Sequence, residues 1–220
     1  MLTKVESAVY ESGGYYRNVY VPRPMDIRLS RLWMTRYYKI ICKLFPKFRQ
    51  MKNETILEIG SGFGGFINLL STLGYRHLTA SDICQDIYHA DSAYPFKTIN
   101  IEKYQGRQKY NTVVALDVME HLNHPKIAIK NIERLLDCRG YFIFCVPYPL
   151  KKHLLDCYHT NMQYPNFYTN IFHRYGFRLY DYKTVSFIPF FWRFGIHFSF
   201  PGITPHPFFI TETFFVFQKG

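Results

Sequence analysis

The chain has 220 residues and a formal net charge of +11, and is long enough to bury a core without disulfide or metal support. Its five cysteines, Cys42, Cys84, Cys138, Cys145 and Cys157, are odd in number and lack C-x-x-C spacing, which argues against a disulfide or zinc framework and for reduced thiols in a cytoplasmic protein. No N-terminal apolar segment reads as a signal peptide, and no run of about 18 residues is free of charge and proline, so no transmembrane span is expected.

The elements follow in chain order. Residues 23–45, with Ile27, Leu32, Tyr38, Ile41 and Leu44, predict one or two lead-in helices. "TILEI" is a short apolar strand ended by glycines, and "GFINLLSTLGY" sets Phe66, Leu69, Leu70 and Leu73 on one helical face before Gly74. "HLTASD" predicts a second strand ending in Asp82, "FKTINIE" a third and "YNTVVALD" a buried fourth. Pro125 opens the helix "PKIAIKNIERLLDC", "YFIFCVP" is a fifth strand, and "NFYTNIFHRYGF" is a helix closed by Gly176. "RLYDYKTVSFI" and "FFITETFFVFQK" are β-rich with no helix between them, which predicts an antiparallel pair. Short apolar strands alternating with amphipathic helices imply a parallel sheet covered on both faces. With no repeat or linker, one domain over 1–220 is expected: a lead-in at 1–50, a core at 51–150 and a lid with final strands at 151–220.

Charge separates the same three parts. Residues 1–50 carry ten Lys/Arg against three acids, residues 51–150 ten of each, and residues 151–220 seven against three. The middle is neutral and both flanks are basic and rich in Tyr and Phe.

"LEIGSGFGGF" contains two overlapping patterns. Gly60, Gly62 and Gly65 fit the G-x-G-x-x-G of a dinucleotide fold, whereas Glu58 with Gly60, Gly62 and Gly64 fits a methyl-donor site. Either way the glycines let a ligand approach the backbone at a helix N-terminus. The acid separates the two, because a carboxylate beside the turn would repel a pyrophosphate but suits a ligand with an ammonium and a sulfonium. Asp82 at the second strand end suits the ribose of either.

With "LEIGSGFG", "ASD" and "ALDVMEHLNHP" taken together, the chain resembles the class I S-adenosylmethionine (SAM)-dependent methyltransferases over roughly residues 54–148. It is most similar to the branch that writes "EH" after strand four, which includes O-methyltransferases of quinones, sugars and other small molecules. The resemblance implies an α/β, Rossmann-like fold with a mostly parallel seven-stranded sheet, helices on both faces and an antiparallel last strand. It also implies that Gly60, Ser61, Gly62 and Gly64 pass under the methionine part of SAM with Glu58 behind them. Asp82 would take the ribose hydroxyls, Ile83 and, more loosely matched, Ile101 or Glu102 the adenine, and Leu116 and Asp117 the methionine end.

For the acceptor, His121 after Glu120 is a candidate general base or orienting residue, and His159 in "CYHTNMQYP" a second one. Stabilising the turn before Pro125 explains Glu120 and His121 equally well, and a surface position explains His159; His153 reads as surface. Asp117, Glu120, His121 and His159 also make the acid-x-x-Glu-His set on which some metal-dependent methyltransferases hold a divalent ion. A pocket-lining Asp117 explains the same letters, so no metal is expected.

The basic, aromatic flanks "YYRNVYVPRP" and "FIPFFWRFGIHFSFPGITPHPFF" suit a ring, a sugar, a phosphate or a membrane interface, and core packing explains them equally. The expected acceptor is a small molecule, glycan or lipid-linked compound, including phosphate-bearing ones. Nucleic acid is the alternative, as an RNA 2′-O-methyltransferase, with no RNA-binding signature to favour it. A non-catalytic binding subunit is the third, and it conflicts with the intact glycine loop.

Overall fold

The computed structural model describes residues 24–84, 94–150, 159–187, 199–201 and 210–220. Helix α1 (Pro24–Leu44) is followed by a 3-10 turn at Pro46–Gln50 and strand β1 (Thr55–Ile59). Then come α2 (Gly65–Thr72), β2 (His77–Asp82), β3 (Phe96–Thr98), β4 (Tyr110–Leu116), a 3-10 turn at Met119–His121, and α3 (Pro125–Leu135). The remainder is β5 (Leu136–Pro147), α4 (Pro165–Arg174), β6 (Phe177–Phe187), β7 (Ser199–Pro201) and β8 (Ile210–Lys219).

The strands form one sheet in the order β3-β2-β1-β4-β5-β8-β6-β7. The first five are mutually parallel. β8 runs antiparallel between β5 and β6, so the two late β-rich segments do pair as expected. The seven anticipated strands are present, with the three-residue β7 added antiparallel on the outer side of β6. Because β4 and β1 are central while the chain crosses over to reach them, the strand order reverses beside β1, where an open α/β sheet leaves a crevice.

Apolar side chains on both faces explain the continuous apolar runs, since alternate residues of a strand point to opposite sides. Ile56, Val114, Ile143, Phe214 and Val216 pack on one face under Tyr37 and Ile41 of α1 and Phe66 and Leu70 of α2. Leu57, Val113, Phe142, Phe144, Phe215 and Phe217 face the other way, under Ile132 of α3 and Phe172 of α4. There Phe144 stacks on Phe215 at 4.8 Å and Phe172 on Phe217 at 4.6 Å between ring centroids. The aromatic richness of the last strand is therefore core packing.

Of the one or two lead-in helices expected, one is present, Pro24–Leu44. Two boundaries differ from the sequence reading. The third strand stops at Thr98, because the Asn100 side chain accepts the Glu102 N–H at 3.0 Å and turns the chain. Helix α3 ends at Leu135, and Leu136 already pairs with Tyr110 in the sheet. Tertiary pairing there overrides the helical spacing that includes Leu136. Cys42, Cys84, Cys138 and Cys145 are free thiols; Cys157 and His153 lie outside the described residues, as does most of the late aromatic segment. Among the described residues, no helix is long and apolar enough to cross a membrane.

Candidate functional site

A cavity of about 300 Å³ opens at the carboxyl ends of β1, β2 and β4. Ligand pockets of this fold class occupy that position. The loop from Gly60 to Phe63 forms its floor. Gly60 has φ +69, and a Cβ there would stand 2.4 Å from Val118 Cγ2, so both backbone conformation and space require glycine. The loop is fixed by Ser61 N–H to Ser81 O at 2.9 Å and Gly64 N–H to Ser61 O at 2.8 Å. The Ser61 hydroxyl is buried in the cavity wall and has no hydrogen-bond partner among the described residues.

Asp82 sits at the rim of this floor. Its Oδ2 accepts the Gly62 N–H at 2.9 Å and its Oδ1 the Cys84 N–H at 3.1 Å. These bonds orient the carboxylate and leave a lone pair on each oxygen for a ligand. Burial pushes its pKa up, and the backbone N–H groups of Gly62 and Cys84 oppose that rise.

Gly60, Ser61, Gly62, Asp82, Ile83, Ile101, Glu102, Leu116 and Asp117 all line the cavity. Glu58 and Gly64 are not among its lining residues. Glu58 is 3% exposed, and its Oε2 accepts the Ile67 N–H at 3.1 Å. It therefore caps α2, whose own N-cap, Gly64, offers no side chain. Burial drives its pKa well up, the Ile67 N–H opposes this, and the Asp82 charge adds to it. An acid already seated on the helix N-terminus removes the usual place for a pyrophosphate.

Asp117 lines the cavity between Leu116 and Val118. It has φ +54, a left-handed conformation that is uncommon outside glycine. The Tyr37 hydroxyl donates to its Oδ2 at 2.9 Å and the Cys145 thiol to its Oδ1 at 3.4 Å. Burial raises its pKa, while those two bonds and the nearby Arg36 and His159 oppose the rise.

Beyond Asp117 lies a buried polar cluster. Glu212 on β8 is 4% exposed, with its pKa pushed up to about 8 by burial and by the Asp117 charge. Arg36 is 2% exposed and none of its three guanidinium nitrogens has a hydrogen-bond partner among the described residues. Instead the guanidinium carbon lies 3.2 Å from the Trp33 ring centroid and 3.6 Å from that of Phe187, held by cation–π attraction.

The acceptor candidates come together at the cavity edge. His121 lines the cavity, its ring centroid is 5.0 Å from that of His159, and its Nε2 is 3.9 Å from Glu120 Oε1. Glu120 is fully buried, and neither carboxylate oxygen accepts a hydrogen bond among the described residues. Burial drives its pKa well up, and the charges of Asp117 and Glu212 add to this. The Glu120 backbone is held by Asn161, which donates its N–H to Glu120 O at 2.8 Å. Donor atoms of Glu120, His121 and His159 all lie within 4.8 Å of one another, as do those of Asp117, Cys145 and Glu212. The first trio has the imidazole and carboxylate ligands that suit a divalent metal.

Sequence reasoning missed the contribution of α1. Ser30 and Met34 line the cavity and Tyr37 reaches Asp117, an i, i+4, i+7 stripe on one helical face. The stripe was present in the letters, but its partner, the cavity edge, was not. Asn100, Val118 and Leu122 are further lining residues without a sequence signal.

A glycine floor, a paired acid at the second strand end and a polar far end give this cavity on a doubly wound sheet the parts that a nucleotide-like ligand needs. A family model described as a methyltransferase domain matches residues 30–182. The chain belongs to this methyltransferase-domain family, within the class I SAM-dependent methyltransferases. Magnesium protoporphyrin IX methyltransferase from Synechocystis PCC 6803, solved with bound SAH, superimposes with TM-score 0.64 at 16% identity, covering 97% of each chain. A SAM-dependent methyltransferase from Mesorhizobium loti gives TM-score 0.63 at 12% identity, over 84% of this chain and 98% of that one. These likenesses establish the fold. An uncharacterized protein of Methanocaldococcus jannaschii is 29% identical over 121 residues, half of this chain. The chain spans about half the length of that relative, 48%.

Proposed function

We propose that the protein transfers a methyl group from SAM to an oxygen of a small-molecule, sugar or lipid-linked acceptor, including acceptors that bear phosphate. The observation that carries the oxygen assignment is the pair of imidazoles, His121 and His159, at the edge of the donor cavity beside a buried carboxyl, Glu120.

The cavity residues fit the donor. The unpartnered Ser61 hydroxyl and the loop floor offer polar contact to a methionine moiety. Asp82, with a lone pair left on each oxygen, suits the two ribose hydroxyls, and Ile83 and Ile101 offer an apolar slot for adenine. Glu102 lines the same slot, and Leu116 and Asp117 bound the methionine end. Glu58 and Gly64 serve by shaping the loop from behind. Bound there, SAM supplies a methyl carbon already activated by its sulfonium.

The chain's own residues then have two tasks, to align the acceptor and to take its proton. His121, with Glu120 3.9 Å away, acts on the acceptor hydroxyl as general base, and His159 packs against it with its ring tilted by 51°. Leu116, Val118 and Leu122 give the cavity an apolar wall that disfavours water on the line of transfer.

The test uses methyl-labelled SAM with a cell extract separated into lipid, polar small-molecule, glycan, RNA and protein fractions. Label in the first three that disappears in His121→Ala supports this reading. Label confined to protein, or undiminished in His121→Ala, overturns it.

The Glu120, His121 and His159 trio favours a second reading, metal-assisted transfer to a ribose 2′-hydroxyl of RNA. Label in RNA, lost in chelator and restored by Mg²⁺ or Mn²⁺, selects it. Incorporation into RNA would fall steeply with salt as phosphate contacts are screened.

A further inference from the structure

We propose that Tyr37 of the lead-in helix is a positioning residue for donor binding, its hydroxyl holding the Asp117 carboxylate in the orientation that receives the cationic end of the donor. This rests on the reading of Asp117 as a donor-site residue.

Helix α1 is part of the cavity wall through Ser30 and Met34, and Tyr37 continues the same stripe to the cavity's far end. The ring of Tyr37 is fully buried, set edge-on against Phe214 at 5.1 Å and 88° and beside Trp33 at 5.9 Å. Packing thus fixes the ring, with the Arg36 guanidinium carbon 5.4 Å from its centroid. The hydroxyl donates to Asp117 Oδ2 at 2.9 Å and also interacts with the buried Glu212 carboxyl.

Asp117 cannot orient itself alone. Its backbone is in the left-handed region, its N–H is tied to Cys145 O at 3.2 Å, and its other oxygen has only the longer thiol contact of Cys145. A thiol is a weak donor, so the phenol is the one strong side-chain donor to this carboxylate among the described residues.

Charges face Asp117 from every side. Arg36 on α1 and His159 beyond the cavity edge favour its ionised form. Glu120 in the turn after β4 and Glu212 on β8 are acids whose own pKa the Asp117 charge raises, and Cys145 on β5 is a neighbour whose thiol burial keeps neutral. Burial works against ionisation, and the Tyr37 hydrogen bond is the strongest contribution opposing burial. The donor carries an ammonium and a sulfonium, so a protonated Asp117 would lose its attraction for both. Tyr37 therefore sets the direction of the acid.

The experiment is SAM affinity by calorimetry at neutral pH in the wild type, Tyr37→Phe, Asp117→Asn and the double variant. Tyr37→Phe keeps the ring packing and removes one oxygen, and a thermal unfolding scan checks that it folds. Its Kd should rise about tenfold, because a donor that holds the carboxylate has been lost. Asp117→Asn should bind weakly, and adding Tyr37→Phe to it should weaken binding no further, since the hydroxyl acts only through the acid. Wild-type affinity in Tyr37→Phe, or the same further loss in the Asp117→Asn background, overturns the proposal. Wild-type affinity in Asp117→Asn would instead overturn the assignment of Asp117 beneath it. Should Tyr37→Phe fail to fold, Cys145→Ala removes the other donor to the same carboxylate. A smaller rise in Kd is then expected, and an unchanged Kd overturns the proposal.

Discussion

The Glu58 carboxylate on β1 accepts the backbone N–H of Ile67 in the first turn of α2, at 3.1 Å. A strand-end acid thereby closes the helix that starts beyond the glycine loop, and it fixes the loop between them. Glu58→Ala should cost about 1–2 kcal/mol, the usual worth of a helix cap, read by urea denaturation. Glu58→Gln retains an acceptor oxygen and should fold near wild-type stability. A Glu58→Ala protein as stable as wild type would remove the capping role.

The same acid predicts a pH trend. A folded-state pKa raised above the ordinary carboxylate value means that the native state holds a proton the unfolded chain releases. Stability from that proton is full below about pH 4.5 and is lost as pH rises through the folded pKa. Glu212 shows the trend best, with a folded value of about 8. Glu212→Gln, permanently neutral, should gain on the wild type by up to about 1.4 kcal/mol per pH unit between pH 5 and 8. Parallel denaturation curves across that range would refute it.

Two loop glycines separate strain from space. Gly60 combines φ +69 with a Cβ position 2.4 Å from Val118 Cγ2, whereas Gly62 has φ +50 and nothing within 4 Å. Gly62→Ala should cost only the left-handed backbone penalty, about 1–2 kcal/mol. Gly60→Ala must also displace Val118, so it should be the more destabilising and should weaken SAM binding. Equal denaturation midpoints for the two variants would contradict this.

His121→Ala should lower methyl transfer about 10²- to 10⁴-fold, the usual contribution of a general base, and leave SAM affinity unchanged. Single-turnover kinetics beside calorimetry separates the two effects. An equal loss of binding would make His121 a donor-site residue instead.

Much of the core was legible in the letters because local physics sets it. Strand β1, the loop glycines, Asp82 after β2 and the Pro125 helix start each declare themselves within a few residues, through apolar runs, positive-φ turns and proline at a first helical turn. The antiparallel partnership of β6 and β8 was equally readable, since no helix could separate them. What the letters could not give were relations across the chain. Tyr37 and Asp117 are 80 residues apart, and nothing local says which of Tyr37 and Tyr38 turns inward. Sequence placed Glu58 behind the loop, but only the folded strand and helix aim its carboxylate at Ile67. Likewise the letters named His121 and His159 separately, and the fold brings their rings to 5.0 Å. The sequence by itself determined the elements and the glycine loop, because these follow from periodicity and backbone sterics, and its motifs carried the resemblance to the methyltransferase class. The tertiary structure alone decided which acids line the cavity and which hold the scaffold, because burial and hydrogen-bond partners exist only once distant segments have packed.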